Sequence, residues 1–442
     1  MTHPIDSLVH TAVFGDGAAK ANARKQIHLQ ARKSGAVSSS IYSLYMAIAR
    51  SEVRVFTTPA FNIRALTYDS CRALFRAAMR HDVGAFIFEI ARSEIGYTEQ
   101  RPSEYAACVL AAALREGFRG PVFIQGDHFQ ASAKKWATPE GRAAEMKALE
   151  SLIDEAIAAE FFNIDIDTST LVDLSFPSRD EQQRANYEAT AHLTKHIRAR
   201  QPKGITVSVG GEIGEVGKYN TQPDEVRAYM NGLNRLLQGQ VGISKISVQT
   251  GTSHGGVPLP DGTIAQAKID FNVLREVTEI GRREYGIAGS VQHGASTLPE
   301  SVFNKFPESK AVEIHLATGF QNMVLDAPSF PEEMKREIRE FCFANAADER
   351  KPGETDEQFV YKTRKKALGP FKRRMWEMKD SAKQPIIAAL ESKFEFLMQK
   401  LAVFDTKSIV EKHVTISKEL PAYLAASEEL TAAAAVDPNE GE

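Results

Sequence analysis

Short apolar, β-prone runs alternate with longer amphipathic stretches along most of this chain. The runs are "VRVFTT" (53–58), "AFIFEI" (85–90), "PVFIQG" (121–126), "FFNIDI" (161–166), "ITVSVG" (205–210), "ISKISV" (243–248), "AGSVQH" (288–293) and "AVEIHL" (311–316). Between them, "LTYDSCRALFRAAMRHD" and "EMKALESLIDEAIAAE" place apolar residues at three- and four-residue steps, the period of a helix with one buried face. "QPDEVRAYMNGL" opens on a proline and two acids, as helices do. Strands alternating with helices predict an α/β fold, and eight of them predict a closed (β/α)8 TIM barrel over residues 51–328. An open, doubly wound sheet is the rival; the chemistry below favours the barrel because it needs the strand ends to converge.

The flanks read differently. Residues 1–50 form a mainly helical N-terminal extension, with a helix in "GAAKANARKQIHLQARK" and a Ser-rich turn at "SGAVSSS". Residues 329–427 form a helical region, with candidates "FPEEMKREIREFCFANAA", "DEQFVYKTRKKAL" and "IIAALESKFEFLMQKLAVF". The small-residue, acidic tail 428–442 is expected to be disordered. The apolar faces of the added helices need a cover, which predicts a homo-oligomer, dimer or tetramer, unless the barrel's own helices supply it.

Composition narrows the function. The 442 residues are 43% hydrophobic and 25% charged, with a formal net charge of -3, which favours neither nucleic acid nor a membrane surface as the partner. Cys71, Cys108 and Cys342 show no metal or disulfide spacing, as expected in a reducing compartment. No apolar run approaches the ~20 residues of a membrane span. The opening "MTHPIDSLVH" lacks the pattern of a signal peptide, so a cytoplasmic location is expected.

Candidate chemistry gathers at the strand ends, where barrels of this kind carry their active sites. The third strand ends at Asp127-His128, the sixth runs into "QTGTSHGGVP" with His254, and the seventh ends in "SVQHGAST" with His293. One histidine at a strand end is usually a hydrogen-bonded structural residue. Three on one rim, with Gly255, Gly256 and Gly294 leaving room beside them, suit a catalytic zinc site with one open position. Asp127 adjoins a proposed ligand and is placed to exchange a proton with a metal-bound substrate. "NIDID" supplies Asp165 and Asp167, and "GGEIGEVG" supplies Glu212 and Glu215; each of these acids is equally well read as a solvated loop charge or a helix cap. After strands seven and eight, Gly294, Ser296 and Thr318 offer N–H groups and hydroxyls to a phosphate.

Taken in order, the motifs resemble the class II, zinc-dependent aldolases of fructose or tagatose bisphosphate. "PAFNI" (59–63) is similar to the segment after that family's first strand, and "GDH" to its "x-D-H". "FFNIDID" is similar to "F-x-x-x-M-I-D-x-S", and "GEIGEVG" to "E-x-E-L-G-x-x-G". "TSHGGVP" resembles "G-x-x-H-G-x-Y", "QHGAST" resembles "x-H-G-G-S-G" and "HLAT" resembles "N-V-A-T". The resemblance implies that His128, His254 and His293 hold Zn2+. Glu212 and Asp165 would lie near it, where a second metal or a monovalent cation can sit. It implies that Asp127 exchanges the proton of the sugar's C4 oxygen. Asn62 would lie near the substrate, Gly255, Gly294, Ser296 and Thr318 would hold a phosphate, and Gly217 would make a backbone phosphate contact. The substrate would be a phosphorylated ketose, cleaved between C3 and C4 without a lysine Schiff base. Three features depart from the family. His315 stands where it has an asparagine, Gly-Ala-Ser replaces Gly-Gly-Ser at 294–296, and the loop "KYNTQPDE" is short. The family's loop carries a Glu that moves the enediolate proton; Glu215 and Tyr219 are the candidates here.

Two other readings compete. "FEIARSEIGYT" (88–98) resembles non-catalytic, barrel-fold partner subunits of such aldolases. A metal-dependent aldolase of the same fold with a different substrate is the other.

Overall fold

The computed structural model describes residues 3–214, 219–251, 269–296 and 298–417. Eight of the nine strands among the described residues form a ring: β1 (Thr58–Asn62), β2 (Ile87–Ala91), β3 (Gly120–Gln130), β4 (Asn163–Asp167), β5 (Ser208–Glu212), β6 (Lys245–Val248), β7 (Ser290–Gln292) and β8 (Glu313–Leu316). Each is parallel to the next, and β8 pairs with β1 through Ala60↔His315 and its neighbours. Spatial order therefore equals chain order and the ring closes. A doubly wound sheet would reverse its order at a switch point, so the (β/α)8 barrel is the fold.

Three local expectations are corrected. The first strand is Thr58–Asn62, not 53–58. Pro59 reads as a strand breaker, but Thr58 N donates to Val312 O, so the next residue's missing N–H faces β2, whose pairing starts later, at Ala60↔Ile87. No ladder bond is lost there. Val55, upstream, is exposed. The third strand does not end at Asp127-His128; it continues to Gln130 through a bulge. The Ser-rich stretch is more than a turn: Ala36–Ser38 is a short strand pairing with Gly120–Val122 outside the barrel.

The flanking helices lie against the barrel. The Asp380–Lys400 helix packs along Thr67–Arg80, with Glu391 paired to Arg76 and Arg80 and with Phe394 against Phe61 and Phe320. Its apolar face is thus covered by the barrel's own elements. The Gly17–Ser34 helix joins Pro102–Glu116 through Arg24 and Glu104. The Tyr42–Ala49 helix sends Tyr45 to Glu313, at the start of β8. Cys71, Cys108 and Cys342 are free and buried. Among the described residues no helix is long and apolar enough to cross a membrane. The tail 428–442 lies outside the described residues.

Candidate functional site

Strict alternation along a strand would send Asp127 and His128 to opposite faces. The bulge prevents that. Gly126 pairs with Ile164 and Phe129 with Ile166, so three steps on β3 oppose two on β4. One extra residue is inserted, and His128 takes φ 40°, an unusual value for a residue with a side chain. Both side chains then reach one site. Gly126 is required locally, because a Cβ there would lie 2.4 Å from the Phe129 ring.

His128 and His293 form the centre. His128 Nε2 and His293 Nδ1 face each other at 2.6 Å, with the rings nearly perpendicular. His128 Nδ1 is 2.8 Å from Asp167 Oδ2 and 3.3 Å from Glu212 Oε2. His315 stacks on His293 at 4.1 Å and places Nδ1 3.1 Å from Asp127 Oδ1 and 3.0 Å from Glu89 Oε2. Asp127 is buried, and its Oδ1 is 3.9 Å from His128 Nε2.

Charge here is held by its neighbours. Burial pushes the Glu212 carboxyl up to about 7, and the Asp167 charge adds to that. Burial also acts to raise Asp127, but His128 and His315 hold it well below the usual carboxylate range. Burial disfavours a charged His128, yet Asp127 and Glu212 hold its pKa well above the ordinary imidazole value. The acids thus demand positive charge at the histidine pair, and a dication supplies the same charge while leaving the imidazoles neutral. Three groups of side chains bring ligand atoms close enough to hold an ion: His128/Glu212/His293, Asp127/His293/His315 and Asp165/Glu313/His315. The donor set fits a metal.

The other sequence candidates fall as follows. Asp165 is brought not to His128 but to Lys245, 2.8 Å away, and to His315 Nε2 at 3.6 Å. Asn62 is buried at the end of β1 and donates to Glu94. Gly294 has φ 68°, and Ser296 Oγ accepts from Gly319 N, joining the turns after β7 and β8. Thr318 opens the Thr318–Leu325 helix directly after β8. Tyr219 is 74% exposed. His254, Gly255, Gly217 and Glu215 lie outside the described residues.

Asp167, which the sequence offers equally as a solvated loop charge or a helix cap, is the carboxylate on His128, steadied by Ser169 and Gln130. It lies two residues after Asp165, on the same strand face. Other residues that build the site carried no expectation from the sequence. Glu89, Lys245 and Glu313 line the interior. Their signal was a lone charge within an apolar strand of a closed barrel, where neither face meets water.

Comparison with known proteins agrees with the barrel fold. The chain resembles a fructuronate-tagaturonate epimerase from Cohnella laeviribosi at TM-score 0.56 and 12% identity, over 87% of this chain and 86% of that one. It resembles a probable tagatose 6 phosphate kinase from Sinorhizobium meliloti 1021 at TM-score 0.52 and 16% identity, over 84% and 96%. It resembles a fructose-bisphosphate aldolase from Campylobacter jejuni at TM-score 0.50 and 18% identity, over 84% and 97%. At these identities the likeness concerns the fold. No curated protein matches the chain in sequence. The family described as fructose-bisphosphate aldolase class-II matches residues 44–397, and the chain belongs to that family.

Proposed function

We propose that the chain is a zinc-dependent aldolase that cleaves and forms the C3–C4 bond of a phosphorylated ketose. The observation that carries this is the facing pair His128 Nε2 and His293 Nδ1 with the Asp127 carboxylate beside it. His128 and His293 would hold the ion, with His254 as third ligand and Glu212 alongside. A zinc ion there supplies Lewis acidity toward the ketose carbonyl and its neighbouring hydroxyl. Asp127 takes the proton of the C4 hydroxyl as C3–C4 breaks: C4–O becomes a carbonyl, and the bond's electron pair stays with C3. In the reverse direction Asp127 returns that proton. His315 orients Asp127 through the contact at 3.1 Å. Asn62 lies near the substrate. Gly294, Ser296 and Thr318 would bind the phosphate, Thr318 as the first residue of the Thr318–Leu325 helix, whose free N–H groups suit an anion; Gly217 and Gly255 would complete that set.

His315, with its Glu89 contact, favours one second reading: the same chemistry on a different ketose, since an imidazole stands where the family presents an amide. The partner-subunit reading is disfavoured by the assembled ligand and acid set. The test is metal analysis of the purified chain, then a cleavage screen over ketose mono- and bisphosphates and sugar acids. Bound zinc with bisphosphate cleavage supports the first reading, and bound zinc with another ketose cleaved supports the second. Metal-free, inactive protein that activates a separate aldolase would establish the partner subunit. Light scattering at micromolar concentration tests the homo-oligomer; a monomer would remove it.

A further inference from the structure

Toward the N-terminal end of the barrel a second cluster surrounds Lys245, the first residue of β6, whose side chain is 1% exposed. Its ammonium lies 2.8 Å from Asp165 Oδ2 on β4 and 2.8 Å from Gln125 Oε1 on β3, and it touches Glu313 Oε1 on β8. Glu313 is itself fixed. Its Oε1 accepts from Gln125 Nε2 at 2.9 Å and meets His315 Nε2 at 2.7 Å, and its Oε2 takes the Tyr45 hydroxyl. Space for the cluster comes from Gly210 on β5, where a Cβ would lie 2.3 Å from Asp165 Oδ1 and 2.9 Å from Lys245 Cε.

Barrels of this class usually fill such a layer with branched apolar side chains. Here carboxylates from two strands and an amide oxygen from a third converge instead. Asp165 is 5% exposed, and neither of its oxygens has an aligned hydrogen-bond donor. The ammonium and Oδ2 form a buried ion pair at 2.8 Å. The occupant of this ring of oxygens is a singly charged ammonium, the charge that a free ammonium or potassium ion would bring.

We propose that this cluster is a monovalent-cation site built into the barrel and filled by the chain's own Lys245 ammonium. Removing the side chain leaves a cavity that accepts a free ammonium or potassium ion. The tethered cation has a consequence at the mouth. Lys245 holds Glu313, Glu313 holds His315 Nε2, and His315 Nδ1 is thereby aimed at Asp127. This inference stands apart from the aldolase reading, because its test reads stability and needs neither substrate nor zinc.

The full-length Lys245→Ala protein is melted in choline, sodium, potassium and ammonium chlorides at equal ionic strength. Leaving buried carboxylates without their cation should lower Tm by roughly 5–10 °C in choline. Ammonium or potassium should restore most of that loss, while the wild type is indifferent to the cation. A variant equally stable in all these salts, or a wild type with the same gain, overturns the proposal. If Lys245→Ala is insoluble, it is refolded from denaturant in each of the four salts. Recovery in ammonium or potassium chloride but not in choline chloride supports the proposal; equal failure in every salt overturns it.

Discussion

At the mouth of the barrel, His128 and His293 turn ring nitrogens toward each other at 2.6 Å, with Glu212, Asp167 and Asp127 around them. One layer further in, Asp165, Glu313 and Gln125 turn oxygens toward the Lys245 ammonium. Both layers gather buried acids, and both need positive charge. The inner layer carries its cation on a side chain, so its balance is permanent. The mouth has imidazoles in that place, which serve equally as proton carriers or as ligands. The layer that can exchange its cation is also the one reached by the bulged, strained part of β3. Chemistry sits where the charge balance is replaceable, and rigidity sits beneath it.

The comparison breaks most sharply at Asp127. Asp127→Ala should lower turnover by about 10²–10⁴, mainly in kcat, with zinc content and Tm near wild type. If Asp127 merely caps its turn, stability falls by about 0.5–2 kcal/mol with turnover intact; zinc content, Tm and cleavage rate on this one variant separate the two. Gly126→Ala should come next. Its Cβ would meet the Phe129 ring at 2.4 Å, and relief must shift the bulge. A loss of about 1–3 kcal/mol in denaturant unfolding is expected, together with weaker metal binding; a variant of unchanged stability and metal affinity would show that the bulge does not build the mouth.

Asp167→Asn probes the support of His128. Zinc affinity measured by chelator competition should drop about 10–100-fold, the usual effect of losing a carboxylate behind a ligating histidine. An unchanged affinity would show that Asp167 does not set the ring's orientation. The smallest effect concerns an acid outside both layers. Burial acts to raise Glu160, but His28 and Arg32 outweigh it and hold the carboxyl below its ordinary 4.5. A depressed acid contributes stability above its unfolded pKa and loses it as pH falls through the folded value. Below about pH 4.5 the wild-type Tm should therefore fall more steeply than that of Glu160→Gln. Parallel acid limbs would remove Glu160 from the account.

The barrel was legible because short apolar, β-prone runs alternate with stretches of helical period, a local property of the chain. His293 and Asp127 were legible because each stands where an apolar run stops. The bulge was not, since it depends on Phe129 packing over Gly126 and on a partner strand more than thirty residues away (Ile164 and Ile166). The first strand was misplaced because the cost of Pro59 depends on where β2 begins pairing, which no local window contains. Lys245 and Glu313 each read as a stray charge in a strand. Only ring closure brings them into contact.

The central claim is that the mouth holds a zinc ion on histidines. Metal content of the purified chain tests it directly, beside single alanine variants of His128, His254 and His293 and of the half-exposed His192 as control. The account predicts roughly one zinc per chain in the wild type and in His192→Ala, and little after loss of any mouth histidine. Near-stoichiometric zinc retained in His128→Ala or His293→Ala would contradict it.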